Sequence, residues 1–345
     1  MIVRCKELSR MPKFSSIDLF AGIGGIRLGF NQAFGDDIRT VFVSEWDEWA
    51  ARTYRENFGE TPAVEGDVTK IDASSIPSFD ICLAGFPCQA FSFAGQHKGF
   101  KDDYKGQSRG TLFAEVVRIC DYHKPKVIFC ENVKGLVRHD RGRTFKVICG
   151  AFEEIGYKVF TKVLNSKDFG VPQNRERIYI VCIRNDIAPE EFSFPDHAGE
   201  KKVIRDILDE APIPSKYYLS NRYLDVLKAH KKRHKAAGHG FGYVIRDLDD
   251  ISGAIVCGGM GREGNLIIDH REHSMVPTTN IKGGINTEDV RKMTPREWAR
   301  LQGFPEDYIL TEADTHLYKQ FGNSVSVPVI AAIANNVKEV LNEIE

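Results

Sequence analysis

The sequence predicts an α/β fold around an open sheet, followed by a region of different character that is richer in glycine. Three observations carry this. Short apolar runs of strand length alternate with helical runs through the first half of the chain. The first run, Phe14 to Phe20, leads straight into Ala21-Gly22-Ile23-Gly24-Gly25 and a helical stretch from Ile26 to Phe34. Strand, glycine turn, helix is the opening of a nucleotide-binding unit. A later run, Phe79 to Ala84, breaks at Gly85 and Pro87 and delivers Cys88 at its carboxyl end, where open α/β sheets carry their chemistry.

Composition narrows the class. The 345 residues suffice for one large domain and a smaller one. Lys and Arg total 47 against 48 Asp and Glu, a formal net charge of -1, so a nucleic-acid partner would have to be met by local basic surface. The eight cysteines include no C-x-x-C pair and no His/Cys cluster at zinc spacing, so no metal is expected. Cys82, Cys130 and Cys182 lie in apolar strand-like runs, as reduced core residues of a cytoplasmic protein do. Met1 to Lys13 is mixed and charged, and no run of about eighteen apolar residues occurs. Neither export nor a membrane is expected.

In the first unit the glycines admit a close backbone approach to a ligand, although Arg27 stands where the third glycine of a dinucleotide fingerprint would be. Arg39 to Ser44 is the second strand and ends on Glu45 and Trp46. An acid at this tip, about twenty residues after the glycines, suits ribose hydroxyls, and the indole beside it could cover an adenine. Ala63 to Val68 brings Asp67 to a third strand end, able to accept from an exocyclic amine. Together these suit an adenosyl ligand. No Walker lysine follows the glycines, which argues against a triphosphate.

Pro87 fixes its own φ and stiffens the loop that carries Cys88. A thiol is the most nucleophilic side chain available near neutral pH; the alternative is a buried cysteine beside a turn. The polar stretch Phe91 to Gly110 contains Gly95, Gly99 and Gly106 among Lys98, Lys101, Lys105 and Arg109. It reads as a lid or as an ordinary surface loop. After a helix from Thr111 to His123, the strand Lys126 to Cys130 ends on Glu131-Asn132-Val133. Glu131 is a candidate acid/base whose burial would raise its pKa; a helix N-cap at Asn132 is the plainer alternative. A helix from Arg143 to Gly156 and a strand from Tyr157 to Leu164 precede Gln173-Asn174-Arg175-Glu176-Arg177 and the strand Ile178 to Ile183. Arg175 and Arg177 are two apart on extended chain and share a face. They could hold a carboxylate, a phosphate or a carbonyl oxygen, with Glu176 pointing the other way.

From about Phe192 the character changes. Phe194-Pro195-Asp196 and Pro212-Ile213-Pro214 read as linkers. Tyr223 to His230 is helical and leads into the basic run His230-Lys231-Lys232-Arg233-His234-Lys235, suited to phosphate contacts or to a solvated helix end. Glycine-rich stretches, Gly238 to Tyr243 and Gly258 to Asn265, follow. Short strands, Ala254 to Val256 and Leu266 to Ile268, are expected to flank the second. Arg262, Glu263 and Asn265 there could read base edges, Arg at guanine and Glu at the cytosine amine, or serve ordinary turns. Thr294-Pro295-Arg296-Glu297 opens a helix with proline at its first position. The last helix, Pro328 to Ile344, carries Val329, Ile330, Ile333, Val337, Val340 and Leu341 at helical spacing and should pack beside the first strand–helix unit.

Together these stretches resemble the DNA cytosine-5 methyltransferases. The match covers DLFAGIGG, SEWD, GDV, GFPCQAFS, RGTLF, ENVKG, QNRERIYIV, RKMTPREWARLQGFP and YKQFGNSVSVP, in the family's order and over nearly the whole chain. The resemblance implies a Rossmann-like methyltransferase fold: a mixed, mostly parallel sheet with helices on both faces, plus a smaller, irregular, β-rich target-recognition domain. It implies a catalytic and cofactor-binding domain over residues 1–195, target recognition and hinge over 196–320, and a C-terminal segment, 321–345, that returns to the first domain.

The same resemblance implies roles. Cys88 is the nucleophile, Glu131 the acid, and Arg175 and Arg177 the arginines that clamp the base. The methyl donor is S-adenosyl-L-methionine, with Phe20, Glu45, Trp46 and Asp67 on its adenosyl part. Gly22, Gly24, Val68, Gly85 and Pro87 line the same pocket, which Leu112, Asn323, Ser324 and Val325 close. Double-stranded DNA would meet Gln89, Ser92 and Gln173, together with Lys231, Lys232, Arg233, Arg262, Glu263 and Asn265. The target cytosine has to be flipped out of the duplex. Lys216 to Ser220, GFGY, GGMGRE and Thr278 to Gly283 look most like bacterial restriction-modification methylases that act on CCGG, which implies functional pairing with a cognate restriction endonuclease. A monomer suffices for the chemistry. RNA cytosine-5 methylases of the tRNA type look similar but lack a full recognition region. A nicotinamide-dependent oxidoreductase shares the glycine turn and strand-tip acid but has no use for a Pro-Cys nucleophile with paired arginines. A DNA-binding module without chemistry has no use for Cys88 and Glu131.

Overall fold

A computed structural model describes residues 11–87, 112–258, 261–274 and 284–344. Cys88, Gln89, Ser92, the lid stretch Phe91 to Gly110 and the stretch Thr278 to Gly283 lie outside the described residues.

A seven-stranded sheet forms the centre, in the order β3-β2-β1-β4-β5-β8-β6. Its strands are β1 (Phe14–Leu19), β2 (Ile38–Ser44), β3 (Val64–Glu65), β4 (Ile81–Ala84), β5 (Val127–Val133), β6 (Tyr157–Asn165) and β8 (Glu176–Arg184), with the two-residue β7 (Gln173–Asn174) just ahead of β8. The strands β3, β2, β1, β4 and β5 run parallel. β8 is antiparallel to β5, and β6 to β8. The inner strands are near-continuous apolar runs, as strands covered on both faces must be; every residue of β4 is buried.

Helices cover both faces. α1 (Gly25–Phe34) and α8 (Val327–Asn342) pack on one, through Phe30, Ile330, Ile333 and Val337 against Leu83 and Phe129. α3 (Leu112–His123) and α4 (Arg143–Glu154) pack on the other, through Val116, Ile119, Ile148 and Phe152 against Cys82, Ile128 and Ile180. α2 (Glu48–Phe58) follows β2 and buries Tyr54 against Val43 and Ala21. The last helix thus returns to the first strand–helix unit, as its spacing suggests. α1 and α8 approach so closely that a Cβ on Gly29 would stand 2.6 Å from Ile330 Cβ. The stretch Asp314–Asn342 is apolar and long enough to cross a bilayer, but it is built as two helices, α7 (Asp314–Asn323) and α8, whose apolar sides are buried in this protein.

The glycine-rich region has little regular structure. A three-stranded sheet of β10 (Ile245–Arg246), β12 (Leu266–Ile268) and β14 (Val290–Lys292) receives Leu224 and Leu227 from α5 (Asn221–Ala236). Two short pairs complete it: β9 (Ile213–Pro214) with β13 (His273–Ser274), and β11 (Ser252–Gly253) with β7. The strand expected at Ala254 to Val256 is therefore found two residues earlier. Ser252 and Gly253 bond to β7, whereas Ile255 is fully buried beside Trp298 and Phe321, and burial rather than sheet pairing explains its apolar character. α5 also runs past His230 to Ala236, so the basic run is its last turn and a half.

α6 (Pro295–Leu301) ties this region to the first. Thr294 and Glu297 form a reciprocal capping box. Glu297, fully buried, also takes both Nη groups of the equally buried Arg291 at 2.7 Å, and Arg291 Nε reaches Asp269 at 2.7 Å. Removing one partner from such a pair leaves a buried charge and typically costs about 3–5 kcal/mol.

Gly29→Val should lower the unfolding free energy by about 1–3 kcal/mol through overpacking of α1 on α8. Urea denaturation reads this as a lower midpoint; an unchanged midpoint would show that the two helices do not meet there.

Candidate active site

Strands β4 and β5 pair as far as Ala84 and Cys130. Beyond that point β4 leaves the sheet at Gly85, while β5 continues to Val133 beside β8. The ladder bond that ends there is replaced by a side chain. Buried Asn132 donates Nδ2 to the Phe86 carbonyl at 2.9 Å and accepts the Val133 N–H at 2.8 Å. Phe86 is buried among Phe113 and its neighbours, and exposed Pro87 follows it. The chain is therefore anchored two residues before Cys88 and stiffened at the next residue.

Glu131 and Arg177 meet on the adjacent antiparallel pair. Glu131 lies opposite Tyr179, and Val133 opposite Arg177, so the two side chains are diagonal neighbours on one face. Arg177 Nε stands 3.2 Å from Glu131 Oε1. This contact is an ion pair without aligned hydrogen-bond geometry, and Oε1 has no hydrogen-bond partner among the described residues. Glu131 is 9% exposed. Burial pushes its carboxyl above the usual range, while the charges of Arg177 and then Arg175 pull it back. Such a group can hold a proton or release it. Glu176 points away and pairs with Lys134 at 2.7 Å; Arg177 meets it only at the backbone, donating to its carbonyl at 2.9 Å.

Arg175 acts on this pair through its charge but makes its hydrogen bonds elsewhere. It is 2% exposed, and its guanidinium donates to three backbone carbonyls: Ile255 at 2.8 Å, Ser324 at 2.5 Å and Gly322 at 3.3 Å. Its Nε has no partner among the described residues.

At the other side of β1 the parallel strand ends gather the second group of residues. Glu45 accepts the Gly22 N–H and the Asp47 N–H, each at 2.7 Å, and its burial raises its pKa. Gly22 and Gly24 both have positive φ, as has Phe20. A Cβ on Gly22 would meet nothing within 4 Å, whereas one on Gly24 would strike Phe58. Gly22 thus faces open space beside Glu45, the shape a ligand cradle needs. The Trp46 indole next to it is 74% exposed, an uncovered aromatic platform. Asp67 caps a short 3-10 turn through Thr69 and is half-buried, Val68 lies beneath it, and partly buried Leu112 packs against the core. The C-terminal Ser324 and Val325 lie on the same turn, since a Cβ on Gly25 would stand 2.8 Å from Ser324 Oγ and 2.9 Å from Val325 Cγ2; Asn323 beside them is exposed. Gly85 touches the same helix, its would-be Cβ 3.2 Å from Ile26.

Comparison with known proteins decides what this arrangement belongs to. The family model for C-5 cytosine-specific DNA methylase matches residues 14–339. The chain belongs to that family. The methylase is 52% identical over 336 residues to the type II methyltransferase M.HpaII of Haemophilus parainfluenzae, covering 96% of this chain and 91% of that one. It is 44% identical over 339 residues to type II methyltransferase M1.ScrFI of Lactococcus lactis subsp. cremoris, covering 98% and 81%. Among solved structures, the Entamoeba histolytica methyltransferase EhMeth superposes with a TM-score of 0.72 at 23% identity, covering 96% and 99%. The S. pombe Dnmt2 methyltransferase gives 0.71 at 20%, covering 95% and 99%. These two share the fold. The methylase is a DNA (cytosine-5-)-methyltransferase of the type II restriction-modification kind, and its methyl donor is S-adenosylmethionine. The open glycine turn, the exposed Trp46 and the fixed Glu45 carboxyl fit the adenosyl part of that donor.

Several residues expected at the DNA are buried and bonded within the protein. Gln173 is fully buried; its Nε2 donates to the Leu301 carbonyl at 2.8 Å and to Gln302 Oε1 at 3.2 Å, and its Oε1 accepts the Ile255 N–H at 3.0 Å. Glu263 is buried, bonded to the Tyr223 hydroxyl at 3.0 Å and paired with Lys292 at 3.4 Å. Asn265 is buried and accepts from Arg246 Nε at 3.0 Å and from the Gly253 N–H at 2.8 Å. All three are committed to partners within the protein and cross-link the surrounding segments. Lys231 is partly committed too, donating to the Tyr243 carbonyl at 3.0 Å over that residue's ring. Lys232 and Arg233 are exposed and Arg262 partly so, its guanidinium 5.3 Å from the Tyr318 ring centroid.

Sequence reasoning missed two groups. One is Asn132, whose bond to Phe86 links the glutamate strand to the cysteine loop. The other is Asp18, fully buried on β1. Its Oδ2 accepts the Tyr54 hydroxyl at 3.2 Å, which in turn accepts Arg27 Nη1 at 3.0 Å, and its Oδ1 has no partner among the described residues. A carboxylate inside the apolar run FSSIDLF was the available signal.

Burial pushes the Asp18 carboxyl up to about 7, against the charge of Arg27 and the Tyr54 hydrogen bond and with a small push from Glu45. The folded protein therefore holds this proton more tightly than the unfolded chain, and stability attributable to Asp18 falls as pH rises from 3.8 to about 7. Denaturation midpoints of wild type and Asp18→Asn should converge or cross in favour of the variant across that window. A difference that is constant with pH would exclude this titration.

Proposed function

We propose that the methylase transfers a methyl group to C5 of a flipped-out cytosine in duplex CCGG through a transient bond between Cys88 and C6. The observation that supports it most is the Glu131–Arg177 pair, set at the strand ends beside the anchored Phe86–Pro87 segment. The 52% identity to M.HpaII over nearly the whole chain supports a type II role, and the likeness of the recognition stretches to CCGG methylases supports the site. The domain boundaries proposed are residues 1–195, 196–320 and 321–345.

Cytosine C5 is a weak nucleophile. Addition of the Cys88 thiolate to C6 pushes the ring electrons towards C5 and N3, which is covalent catalysis. Glu131, protonated, gives its proton to N3 and accepts a hydrogen bond from the 4-amino group. General acid help of this kind contributes about 10²–10⁴-fold. Arg177 steadies the Glu131 carboxyl and faces O2, and the nearby cations favour thiolate at Cys88. S-adenosylmethionine supplies an electrophilic methyl group, held by Phe20, Glu45, Trp46 and Asp67 under the Asn323–Val325 segment. Once C5 is methylated, water or hydroxide removes its proton and the electron pair expels Cys88 as thiolate, restoring the aromatic ring. Glu131 recovers its proton from N3. The stretch Phe91 to Gly110 is the covering lid, and Gln89 and Ser92 contact the base or its backbone. The enzyme works as a monomer in the bacterial cytoplasm and protects DNA from a cognate endonuclease.

Labelled methyl transfer to a CCGG duplex, with bisulfite sequencing of the product, tests the reading. Wild type should modify one cytosine per strand, and Cys88→Ala should lose turnover by several orders of magnitude. A duplex with 5-fluorocytosine at that position should trap wild type covalently, because fluorine cannot leave as a proton. Transfer that survives Cys88→Ala, or an active enzyme that is never trapped, would rule out attack at C6.

Lys232 and Arg233 offer free cations at the end of α5, and we assign them to phosphate contacts. Replacing both by Gln should weaken binding on all sequences alike and flatten the salt slope by up to about 2, near 0.9 per lost phosphate contact. An unchanged slope would return these residues to solvent.

A further inference from the structure

We infer that Arg175 is a positioning residue and not a base contact: it locks segment 252–257 to the Ser324 wall of the cofactor pocket and so couples DNA binding to cofactor binding. The inference rests on the functional reading above for the identity of the two ligands.

The geometry is a buried junction of four chain segments. Arg175 bonds through one Nη to the Ile255 carbonyl, and through the other to the carbonyls of Ser324 and Gly322. Gln173, two residues earlier, holds Ile255 by its N–H and reaches across to Leu301 and Gln302. Gln302 completes the ring, donating to the carbonyls of Phe321 and Ser324 at 3.0 and 3.2 Å while its own carbonyl accepts the Val327 N–H at 2.8 Å. Gln173, Gln302, Ile255 and Phe321 are all buried. The contact is also tight without the side chains. A Cβ on Gly322 would stand 2.4 Å from the Cys257 backbone nitrogen, so the recognition segment rests directly on the last turn of α7.

Two consequences follow from this placement. A guanidinium committed to three carbonyls on two other segments has little freedom to swing to a base, whereas Arg177 is partly exposed and already against Glu131. Further, Ser324 touches the glycine turn at Gly25 on one side and receives Arg175 on the other. A shift of segment 252–257 on meeting DNA would therefore be passed, through the Arg175 hydrogen bonds, to Ser324 and the wall of the cofactor pocket. Coupling between two sites is reciprocal and commonly amounts to about 5–150-fold in affinity. Lysine cannot reproduce it, since one ammonium cannot reach carbonyls on both segments in the planar geometry of the fork.

The test measures the dissociation constant of S-adenosylhomocysteine with and without CCGG duplex, in the full chain, for wild type, Arg175→Lys, Gly322→Ala and Arg177→Lys. Wild type should bind the product more tightly with DNA present, by a factor in the range of about 5–150. That factor should fall close to one in Arg175→Lys and Gly322→Ala. It should persist in Arg177→Lys, whose loss appears in turnover. Arg175→Lys that keeps the factor while losing turnover, as Arg177→Lys does, would overturn the inference in favour of a base clamp. Where Arg175→Lys does not fold, Gly322→Ala decides: an unchanged factor there also overturns it. A wild-type factor of one with intact DNA methylation sinks the junction alone; absence of methylation by wild type sinks the functional reading instead.

Discussion

A buried carboxyl under the charges of two arginines, Glu131 with Arg177 against it and Arg175 also acting on it, is the constraint around which this edge of the sheet is arranged. A glutamate removed from water is costly unless something stabilises its charge or it keeps a proton. Here burial raises its pKa, and the charges of Arg177 and Arg175 oppose that rise. The fold supplies this balance by reversing a strand. β8 runs against its parallel neighbours, so its beginning, not its end, lies at the carboxyl ends of β4 and β5. The arginines that precede and open β8 thereby arrive at the same edge as Glu131 and the cysteine loop. A wholly parallel sheet would have carried them to the opposite edge.

The same edge collects everything else that chemistry requires. Gly22, Glu45 and Trp46 stand at the ends of β1 and β2, one and two strands away from β4. Asn132 pins the exit of β4, and the α7–α8 junction folds back over the glycine turn. This last contact places Ser324 and Val325 directly against the glycine turn at Gly25. The second part of the chain is then joined at α6 and at the β7–β11 pair, where a buried charge network and a buried amide–guanidinium junction accompany an apolar cluster that brings Ile23 and Ala50 together with Ile204, Ile255, Trp298 and Phe321. Directional bonds of this kind fix relative position more tightly than apolar packing does, since a small displacement leaves buried donors unpaired.

Much of this was legible in the sequence. Parallel strands buried on both faces tend to be continuous apolar runs, so β4 and the start of β5 could be read from single stretches, whereas β1 and β2 carry polar residues and were legible together with the glycine turn and the acid that follow them. The glycine turn, the Thr294–Glu297 capping box and the spacing of Val329, Ile330, Ile333 and Val337 are local signals with local causes. The buried placement of other residues was not legible, and for a common reason. Gln173, Glu263 and Asn265 are polar residues in glycine-rich or irregular chain, and their exposure depends on partners far away; Gln173 bonds to Leu301, 128 positions on. Nothing in the neighbouring residues distinguishes a buried strut from a surface contact. Arg175 and Arg177 are alike in sequence and two apart, yet one faces a carboxylate and the other three carbonyls. Ile255 was read as strand because it is apolar, but its apolarity reflects the Trp298–Phe321 cluster it fills.

The protonation state of Glu131 against the bound base tests the account most directly. Infrared difference spectra between wild type and Glu131→Gln, each held on 5-fluorocytosine duplex with the methyl donor, would report it. The account requires a carboxyl signal belonging to Glu131 that is present as the acid before adduct formation and becomes carboxylate when N3 takes the proton. A Glu131 that is carboxylate throughout, at every pH where the enzyme turns over, would contradict it.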